Sequence, residues 1–360
     1  MSLRKPLVYC TLLVWLLAGC AGQPTAVPPT PTPKPSPTMT AVPQATAVPH
    51  PTEYPVTTIP LAGPLADADA EISGLAWYGD TLILLPQYPS FAGGGSFLYA
   101  LPKSVLLDYL DGRSTTALTP QAIPFTATGL ATQIAGFQGY EAIAFQGDDV
   151  YLTVEADGRN GPMGYLVHGT IAPDLSQITI HTDEIVEIAP QTGRSNTSDE
   201  ALLVYGDELV TLYEVNGADL NEAPVAHRFA LDLAEAGTLP LARIEYRVTD
   251  ATAVDGNGRF WVINYFFPGD VDLRPQTDPI AGQFGQGATH LQRDQVERLL
   301  ELQFTDDGIQ PSGAPPILLQ LPDDDARNWE GLVRLDERGF LLATDKFPTT
   351  ILAFVPGSQG

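Results

Sequence analysis

The sequence predicts an all-β fold, a β-propeller with five blades, from one repeated pattern. Five segments each begin with an oxygen-bearing side chain, which is followed by a small residue, an apolar run and a turn. A second apolar segment follows each turn, as in Val150–Val154 and Phe260–Ile263, so each repeat is typical of a β-hairpin. Hairpins repeated along one chain are typical of radially arranged sheets. The five segments begin at Ser73, Glu141, Glu200, Asp250 and Glu330.

The two ends of the repeat region predict how the ring closes. A blade is a four-stranded meander, but the last hairpin is followed only by the strand-like segment Thr350–Phe354. Val56–Leu61, just before the first hairpin, also has strand-like composition and lacks a partner. We therefore expect the N-terminal strand to complete the last blade, because this closure removes an exposed sheet edge.

The outer strands of the first four blades are predicted in the segments between hairpins, which are bounded by Gly, Pro and Asp. In chain order they are Phe97–Leu101 and Ala122–Phe125, Gly164–His168 and Ile178–Ile180, Ala226–Phe229 and Ala242–Tyr246, and Leu299–Phe304 and Ile317–Gln320. Short helices are expected at 104–110 and 232–236, and a Gly- and Pro-rich loop at 268–289. Six blades are the alternative, which requires a further repeat between Asp250 and Glu330, where we see no matching start.

The N-terminus is typical of a bacterial lipoprotein signal. Arg4 and Lys5 precede the apolar run Leu7–Leu17, which is short for a membrane span. Leu17-Ala18-Gly19-Cys20 resembles the lipobox, which implies cleavage before Cys20 and lipid on that residue. An ordinary signal peptide with a chance cysteine is the alternative. The expected organisation is a signal peptide over 1–19, a lipid-anchor Cys and Pro/Thr-rich linker over 20–56, and the propeller over 57–360.

Charge and cysteine content narrow the function classes. The formal net charge of -25 argues against nucleic acid as a partner, since such binding depends on Lys and Arg at phosphates. Cys10 lies in the predicted signal peptide, so the mature chain has no cysteine pair for an internal disulfide. We expect a monomer on the outer face of a bacterial membrane, held by lipid. Strong acidity suits cation binding, and it equally suits simple solubility.

The opening residues of the five hairpins are the candidate metal ligands. The innermost strand of each blade lines the central channel, so these five side chains are expected to converge on one axis. Four of them are carboxylates, and such a cluster needs protons or a counter-ion. Calcium is the predicted cation because it accepts six to eight oxygens in flexible geometry. The predicted ligands are Ser73, Glu141, Glu200, Asp250 and Glu330.

A second ring of polar residues is predicted on the neighbouring strands, because an antiparallel hairpin returns to the rim where it began. These residues are Gln87, Glu155, Glu214, Asn264 and Asp345. The alternative interpretation of both rings is hydrogen bonding to backbone at blade junctions, with water in the channel. Near the channel mouth we expect Trp329, with Arg327 and Lys346 either holding an anionic ligand or pairing with nearby acids. The five histidines are scattered and show no metal-like spacing.

Two families resemble parts of this chain. Ile72–Ala76, Asn328–Leu332 and Leu341–Asp345 are similar to the phytase-like or esterase-like propeller domains exported by bacteria. The ring of one Ser and several acids resembles that of the calcium-activated nucleotidases (apyrases), which implies five blades and calcium in the central cavity. That implication extends to Ser73, Glu141, Glu200, Asp250 and Glu330. The basic and aromatic residues that would hold phosphates and a base have no match here.

Two functions are therefore expected. The first is a binding or scaffold module whose central cation is structural and whose ligand the sequence does not specify. The alternative is a calcium-dependent hydrolase of phosphate esters or carboxylic esters, with Glu330, Glu141 and Glu200 as ligands or base. A propeller fold alone does not decide between them.

The lipobox resemblance generates the first testable prediction. Changing Cys20→Ser removes the thiol that would carry the lipid, so incorporation of labelled fatty acid into the expressed protein should be lost. Cys10→Ser, in the part expected to be cleaved off, is the matched control and should label like the wild type. Equal labelling of the Cys20→Ser protein would contradict the prediction.

Overall fold

The computed structural model describes residues 50–159, 161–323 and 325–357. The predicted signal peptide and Cys20 lie outside these residues. Within them the strands form five blades around a common centre, so the five-bladed propeller expected from the hairpin repeats is confirmed. No helix in the described ranges is both long enough and apolar enough to cross a bilayer.

The chain enters the fold through two short strands, β1 (Glu53–Tyr54) and β2 (Thr57–Ile59). β1 pairs in parallel with a strand of the fourth blade, where Glu53 lies opposite Leu318. The Glu53 carboxylate also accepts hydrogen bonds from the Thr289 N–H and hydroxyl and contacts His290 Nδ1 at 2.8 Å. The predicted linker over 20–56 therefore needs correction, because its last residues already belong to the propeller.

Blades 1 and 2 are four-stranded antiparallel meanders whose outer strands pair with each other in parallel, Ile178 opposite Phe125. The inner strands are buried along nearly their whole length, which places apolar side chains on both faces, as expected for sheets stacked between neighbours. Blade 1 contains β3 (Ile72–Tyr78), β4 (Thr81–Pro86), β5 (Phe97–Pro102) and β6 (Gln121–Thr126). Blade 2 contains β7 (Phe137–Gln146), β8 (Asp149–Gly158), β9 (Gly161–Ile171) and β10 (Ile178–Ile188).

Blade 3 corrects one predicted strand and one predicted helix. Its strands are β11 (Asp199–Tyr205), β12 (Glu208–Tyr213), β13 (Val225–Ala230) and β14 (Glu235–Pro240). Leu233 has φ 65° in a tight turn closed by Ala230 and Ala234, so 232–236 is a turn and a strand start rather than a helix. The predicted strand Ala242–Tyr246 is instead an irregular segment, which hydrogen-bonds to Ile309 of blade 4 through the Ala242 N–H.

Blade 4 has a divided outer edge. Its strands are β15 (Arg247–Ala251), β16 (Arg259–Phe266), β17 (Val296–Thr305), β18 (Gly308–Pro311) and β19 (Ile317–Leu319). β18 pairs with the C-terminal part of β17 and β19 with its N-terminal part. The short helices of the fold lie in the connections, at α1 (Lys103–Leu110), α2 (Leu130–Gln133) and α3 (Pro279–Phe284), with 3₁₀ turns at Gly63–Ala66, Ala68–Ala70, Val271–Leu273 and His290–Gln292.

Blade 5 closes the ring as the sequence predicts. It contains β20 (Trp329–Leu335), β21 (Gly339–Thr344) and β22 (Leu352–Pro356), and β2 completes it with Thr57 opposite Phe354. The first and last innermost strands, β3 and β20, also pack together. Both ends of the propeller are therefore held in one sheet, and no outer edge of blade 5 is left at the β22 side.

Separate apolar clusters fill the spaces between adjacent blades. Examples are Leu85 with Ile143 between blades 1 and 2, and Leu203 with Val262 between blades 3 and 4. A third cluster joins blades 5 and 1 and includes Ile59 of the closing strand, which is 1% exposed. Burial at each of these interfaces fixes the rotation of one blade against the next, and so fixes where the innermost strands meet.

The closing strand generates the second prediction. Ile59→Ala removes a buried side chain from the cluster between blades 5 and 1, and it should lower the free energy of unfolding by about 2–5 kcal/mol in urea. Thr58→Ala is the matched control, because Thr58 lies on the exposed face of the same strand and should change stability little. Equal effects of the two substitutions would contradict closure by packing.

Candidate functional site

All five predicted metal ligands lie at β-bulges on the innermost strands. Each inner-strand ladder is interrupted there, by one residue in three strands and by two residues in the other two. A bulge adds one unpaired residue and changes the direction of its side chain. The residues within the bulges are Ser73, Glu141 with Ala142, Glu200, Thr249 with Asp250, and Glu330. The sequence indicated the polar position but gave no sign of the bulge.

Four of these five side chains line one cavity of about 340 Å³ at the end of the channel. They are Ser73, Glu141, Glu200 and Glu330, and Gln87, Glu155 and Asp345 of the second ring join them. The lining contains seven carboxyl groups and two basic groups, Arg247 and Lys346, so the cavity is strongly negative when its acids are ionised. The remaining lining residues are Glu71, Asn196, Tyr265, Phe267, Asp270, Asn328 and Phe347.

Asp250 is directed away from this cavity. Its Oδ2 accepts a hydrogen bond from the Leu332 N–H at 2.7 Å, and Oδ1 accepts from its neighbour Ala251 at 2.7 Å. Leu332 belongs to blade 5, so Asp250 ties blade 4 to blade 5 at their inner strands. The expectation that it stands with the other four as a ligand therefore needs correction, and the blade-junction alternative describes this residue.

Glu214 links blades 3 and 4, whereas Asn264 of the second ring makes its hydrogen bonds within blade 4 and to the segment before it. Glu214 contacts the Arg247 guanidinium. Asn264 donates to the backbone carbonyls of Glu245 and Arg247 at 2.8 and 3.0 Å and accepts from Arg298. Neither residue is among those that line the cavity. In the second ring, Gln87, Glu155 and Asp345 thus line the cavity, whereas Glu214 and Asn264 do not.

Arg247 and Tyr265 line the cavity, although the repeat pattern does not predict them there. Arg247 Nε donates to Asp270 at 2.8 Å, and Tyr265 donates its hydroxyl proton to Glu330 Oε1 at 3.0 Å. Burial lowers the pKa of Arg247, but nearby Tyr265, Glu200 and Asp270 outweigh it and raise the pKa, so the guanidinium stays charged. Tyr265 directly follows Asn264 and Arg247 lies three residues before Asp250, and this proximity to the predicted rings is the available sequence signal.

The cavity raises the pKa of its carboxyl groups. Burial, followed by repulsion from Glu155, raises the pKa of Glu141 to about 8. Burial likewise raises the pKa of Glu155 to about 7 and that of Asp345 to about 6. The pKa values of Glu200 and Glu330 also lie well above the usual range, chiefly because both groups are buried and then because other carboxylates are close. Without a cation, several of these groups would hold protons near neutral pH.

Two buried carboxylate oxygens in the lining have no hydrogen-bond partner among the described residues. They are Glu155 Oε1 and Glu200 Oε2. By contrast, Glu141 Oε1 accepts from Gln87 Nε2 at 3.2 Å, and Ser73 donates to the Tyr140 carbonyl at 2.6 Å. An unpaired buried carboxylate oxygen is costly. Protonation or a bound cation would satisfy both oxygens.

Of the three residues predicted at the channel mouth, only Lys346 is among those that line the cavity. Lys346 lines the cavity, and its Nζ lies 2.7 Å from Glu71 Oε1. The expectation for Trp329 is wrong, because its indole is fully buried and donates to Glu297 Oε2 at 2.7 Å. Arg327 pairs with an acid, which is one of its two predicted roles, since its Nε donates to Glu297 Oε2 at 2.9 Å. Glu297 of β17 therefore holds both side chains inside the fold and away from a ligand at the mouth.

Comparison with known proteins finds no matching family model and no similar curated protein. Among solved structures, similar folds include a candidate glycoside hydrolase from Parabacteroides distasonis, at 12% identity and TM-score 0.45 over 88% of this chain and 96% of that one. An exo-1,5-α-L-arabinanase from a bovine ruminal metagenomic library is 10% identical, with TM-score 0.43 over 79% and 92%. MPT-4, a mannose phosphorylase from Leishmania mexicana, is 13% identical, with TM-score 0.45 over 85% and 88%. At these values the likenesses carry no inference about activity.

The raised pKa values generate a stability prediction for the metal-free protein. A carboxyl group whose pKa is higher in the folded state stabilises the fold at low pH, and this contribution is lost as pH rises through the folded pKa. With unfolded values near about 4 and folded values of about 6, 7 and 8 for Asp345, Glu155 and Glu141, the free energy of unfolding should fall between about pH 4 and pH 8.

Urea unfolding in chelator at pH 5 and pH 8 measures this fall. Glu141→Gln should reduce it, since the amide carries no charge to repel Glu155. Glu222→Gln, an exposed acid outside the cavity, is the matched control and should retain the wild-type fall. A wild-type protein equally stable at both pH values would show that the crowded acids have no such effect.

Proposed function

We propose that the channel cavity binds a calcium ion through carboxylate oxygens of Glu141, Glu200 and Glu330. The single observation that supports this most is the convergence of seven carboxyl groups on one cavity with two basic groups. The unpaired Glu200 Oε2 is a ready ligand atom. Ser73 and Gln87 would add a hydroxyl and an amide oxygen from the same lining.

The donor set supports calcium over transition metals. Among the described residues that line the cavity, none is His or Cys, and the polar groups there are carboxyl, amide, hydroxyl and basic. Calcium accepts many such oxygens in flexible geometry, whereas magnesium requires a tight octahedron. Zinc and copper sites use nitrogen or sulfur ligands.

Protons compete with calcium for the same groups. Glu141 has a pKa of about 8 without the ion, so binding would release protons and affinity would rise with pH. Arg247 partly neutralises the cavity, but its contacts with Glu214 and Asp270 already occupy much of its charge. The cation would therefore be the principal counter-ion above neutral pH.

The role we propose for this site is a binding module carried outside the cell. The lipobox resemblance at Cys20 and the Pro/Thr-rich linker would hold the propeller away from a bacterial membrane. In this role the calcium ion would be structural and would order the inner strands, while the ligand would meet the open end of the cavity beside Lys346 and Phe347.

Calcium-dependent ester hydrolysis is the second candidate, favoured by the open cavity and the carboxyl groups with raised pKa. When bound, the ion would supply Lewis-acid polarisation of a substrate oxygen. Glu141 or Glu200 would orient a water molecule and accept its proton. Arg247 would hold an anionic group of the substrate. Its ion pairs with Glu214 and Asp270 already engage the guanidinium, which favours the binding role over hydrolysis.

Isothermal titration with calcium at pH 8 tests the proposed site. We expect one site with a Kd on the order of 10⁻⁴ M, typical of extracellular modules, and roughly tenfold weaker binding for Glu200→Gln because one charged ligand is lost. Glu222→Gln should bind like the wild type. The absence of binding, or equal binding by both variants, would contradict a site in this cavity.

Turnover separates the two functions. A panel of generic phosphate and carboxylic esters should show no hydrolysis if the protein is a binding module, while chelator still lowers its melting temperature. Hydrolysis that disappears with chelator and with Glu141→Gln, but remains with Glu222→Gln, would establish the enzyme instead.

A further inference from the structure

A second polar cluster lies on the outer part of blade 2, away from the channel. The β9–β10 ladder runs from Gly169 opposite Ile180 to Val167 opposite Ile185. One residue of β9, His168, therefore faces four residues of β10, 181–184. This large bulge carries His181 and Glu184 toward His168, although the sequence spacing of the histidines gave no indication of it.

We propose that His168, His181 and Glu184 bind a zinc ion. His168 Nδ1 lies 3.4 Å from Glu184 Oε2, and His181 Nδ1 lies 3.6 Å from the same oxygen. One ligand atom from each residue lies within 4.8 Å of the others. Zinc ligands at about 2.0–2.2 Å in a tetrahedron are separated by roughly 3.4 Å, so the three side chains need only small adjustments to close on an ion.

Asp149 of β8 supports His168 from the other side. Its Oδ1 lies 3.1 Å from His168 Nε2, in the arrangement where a carboxylate accepts the imidazole N–H and orients a metal-binding histidine. With the Nε2 proton donated to Asp149, Nδ1 presents a lone pair toward the Glu184 carboxylate. Two acceptors facing each other require a cation between them, either a proton on Nδ1 or a metal ion.

The rings are also held in position. The His168 imidazole stacks on Tyr151 with centroids 5.0 Å apart, and His181 meets it edge to face at 5.0 Å. The His168 side chain is 16% exposed, whereas those of His181 and Glu184 are 38% and 55% exposed. The site is therefore anchored at one ligand and open to solvent at the other two, which leaves a fourth position for water.

The ligand types separate this site from the channel. Two imidazole nitrogens and one carboxylate suit zinc, whereas calcium takes oxygen ligands. Zinc on blade 2 and calcium at the axis are independent, so this inference does not rest on the proposed calcium site.

Titration of the full chain, purified without a histidine tag and freed of metal by chelator, tests the proposal with zinc at pH 7.5 in excess calcium. We expect one zinc ion per chain. His181→Ala should weaken binding at least about tenfold, and Asp149→Asn should weaken it by about 10–100-fold through loss of the orienting carboxylate. His50→Ala, an exposed histidine outside the cluster, and Glu141→Gln in the channel should bind zinc like the wild type.

Because His181 is partly exposed, its substitution should leave folding intact, which circular dichroism checks. Cobalt in place of zinc gives a second readout, since a tetrahedral nitrogen and oxygen site produces a visible absorption band that His181→Ala should abolish. A wild-type chain that takes up no zinc would overturn the proposal, and so would His181→Ala and Glu184→Gln variants that bind zinc as tightly as the wild type.

Discussion

Crowding of buried carboxyl groups around the propeller axis is the constraint on which the rest of the site depends. Each innermost strand breaks its ladder at the same place, and the extra residue turns its side chain out of the pleat. Glu141, Glu200 and Glu330 thereby share one cavity. Charged groups so close together and so poorly solvated must gain protons, cations or hydrogen bonds. Hydrogen bonds from Gln87, Tyr265 and Arg247 satisfy the acids of the cavity only in part.

The architecture outside the axis keeps that crowding in place. Apolar clusters between neighbouring blades fix each sheet against the next, and the N-terminal strand joins the two ends of the chain in blade 5. Side chains at the inner strands add polar links between blades, from Ser73 to the Tyr140 carbonyl and from Thr249 to the Trp329 carbonyl, both at 2.6 Å. A rigid ring is what allows like charges to remain close together without moving apart.

The hairpin repeat predicts the five-bladed fold, because a polar residue, a small residue and an apolar run recur wherever an inner strand begins. The same pattern does not show where a bulge directs each side chain, so it predicts Asp250 among the residues that face the cavity, whereas the Asp250 carboxylate accepts hydrogen bonds from backbone N–H groups. Glu297, which holds Trp329 and Arg327, is 30 or more residues distant in sequence. The histidine pair on blade 2 was hidden for a related reason, since only the bulge in β10 brings His181 to His168.

A crystal structure of the protein grown in calcium, with anomalous scattering recorded, tests the central claim most directly. We predict an anomalous peak in the cavity, coordinated by oxygens of Glu141, Glu200 and Glu330, with Asp250 still bonded to the Leu332 N–H. A cavity that contains only water, with these carboxyl groups hydrogen-bonded to one another as protonated acids, would contradict the account.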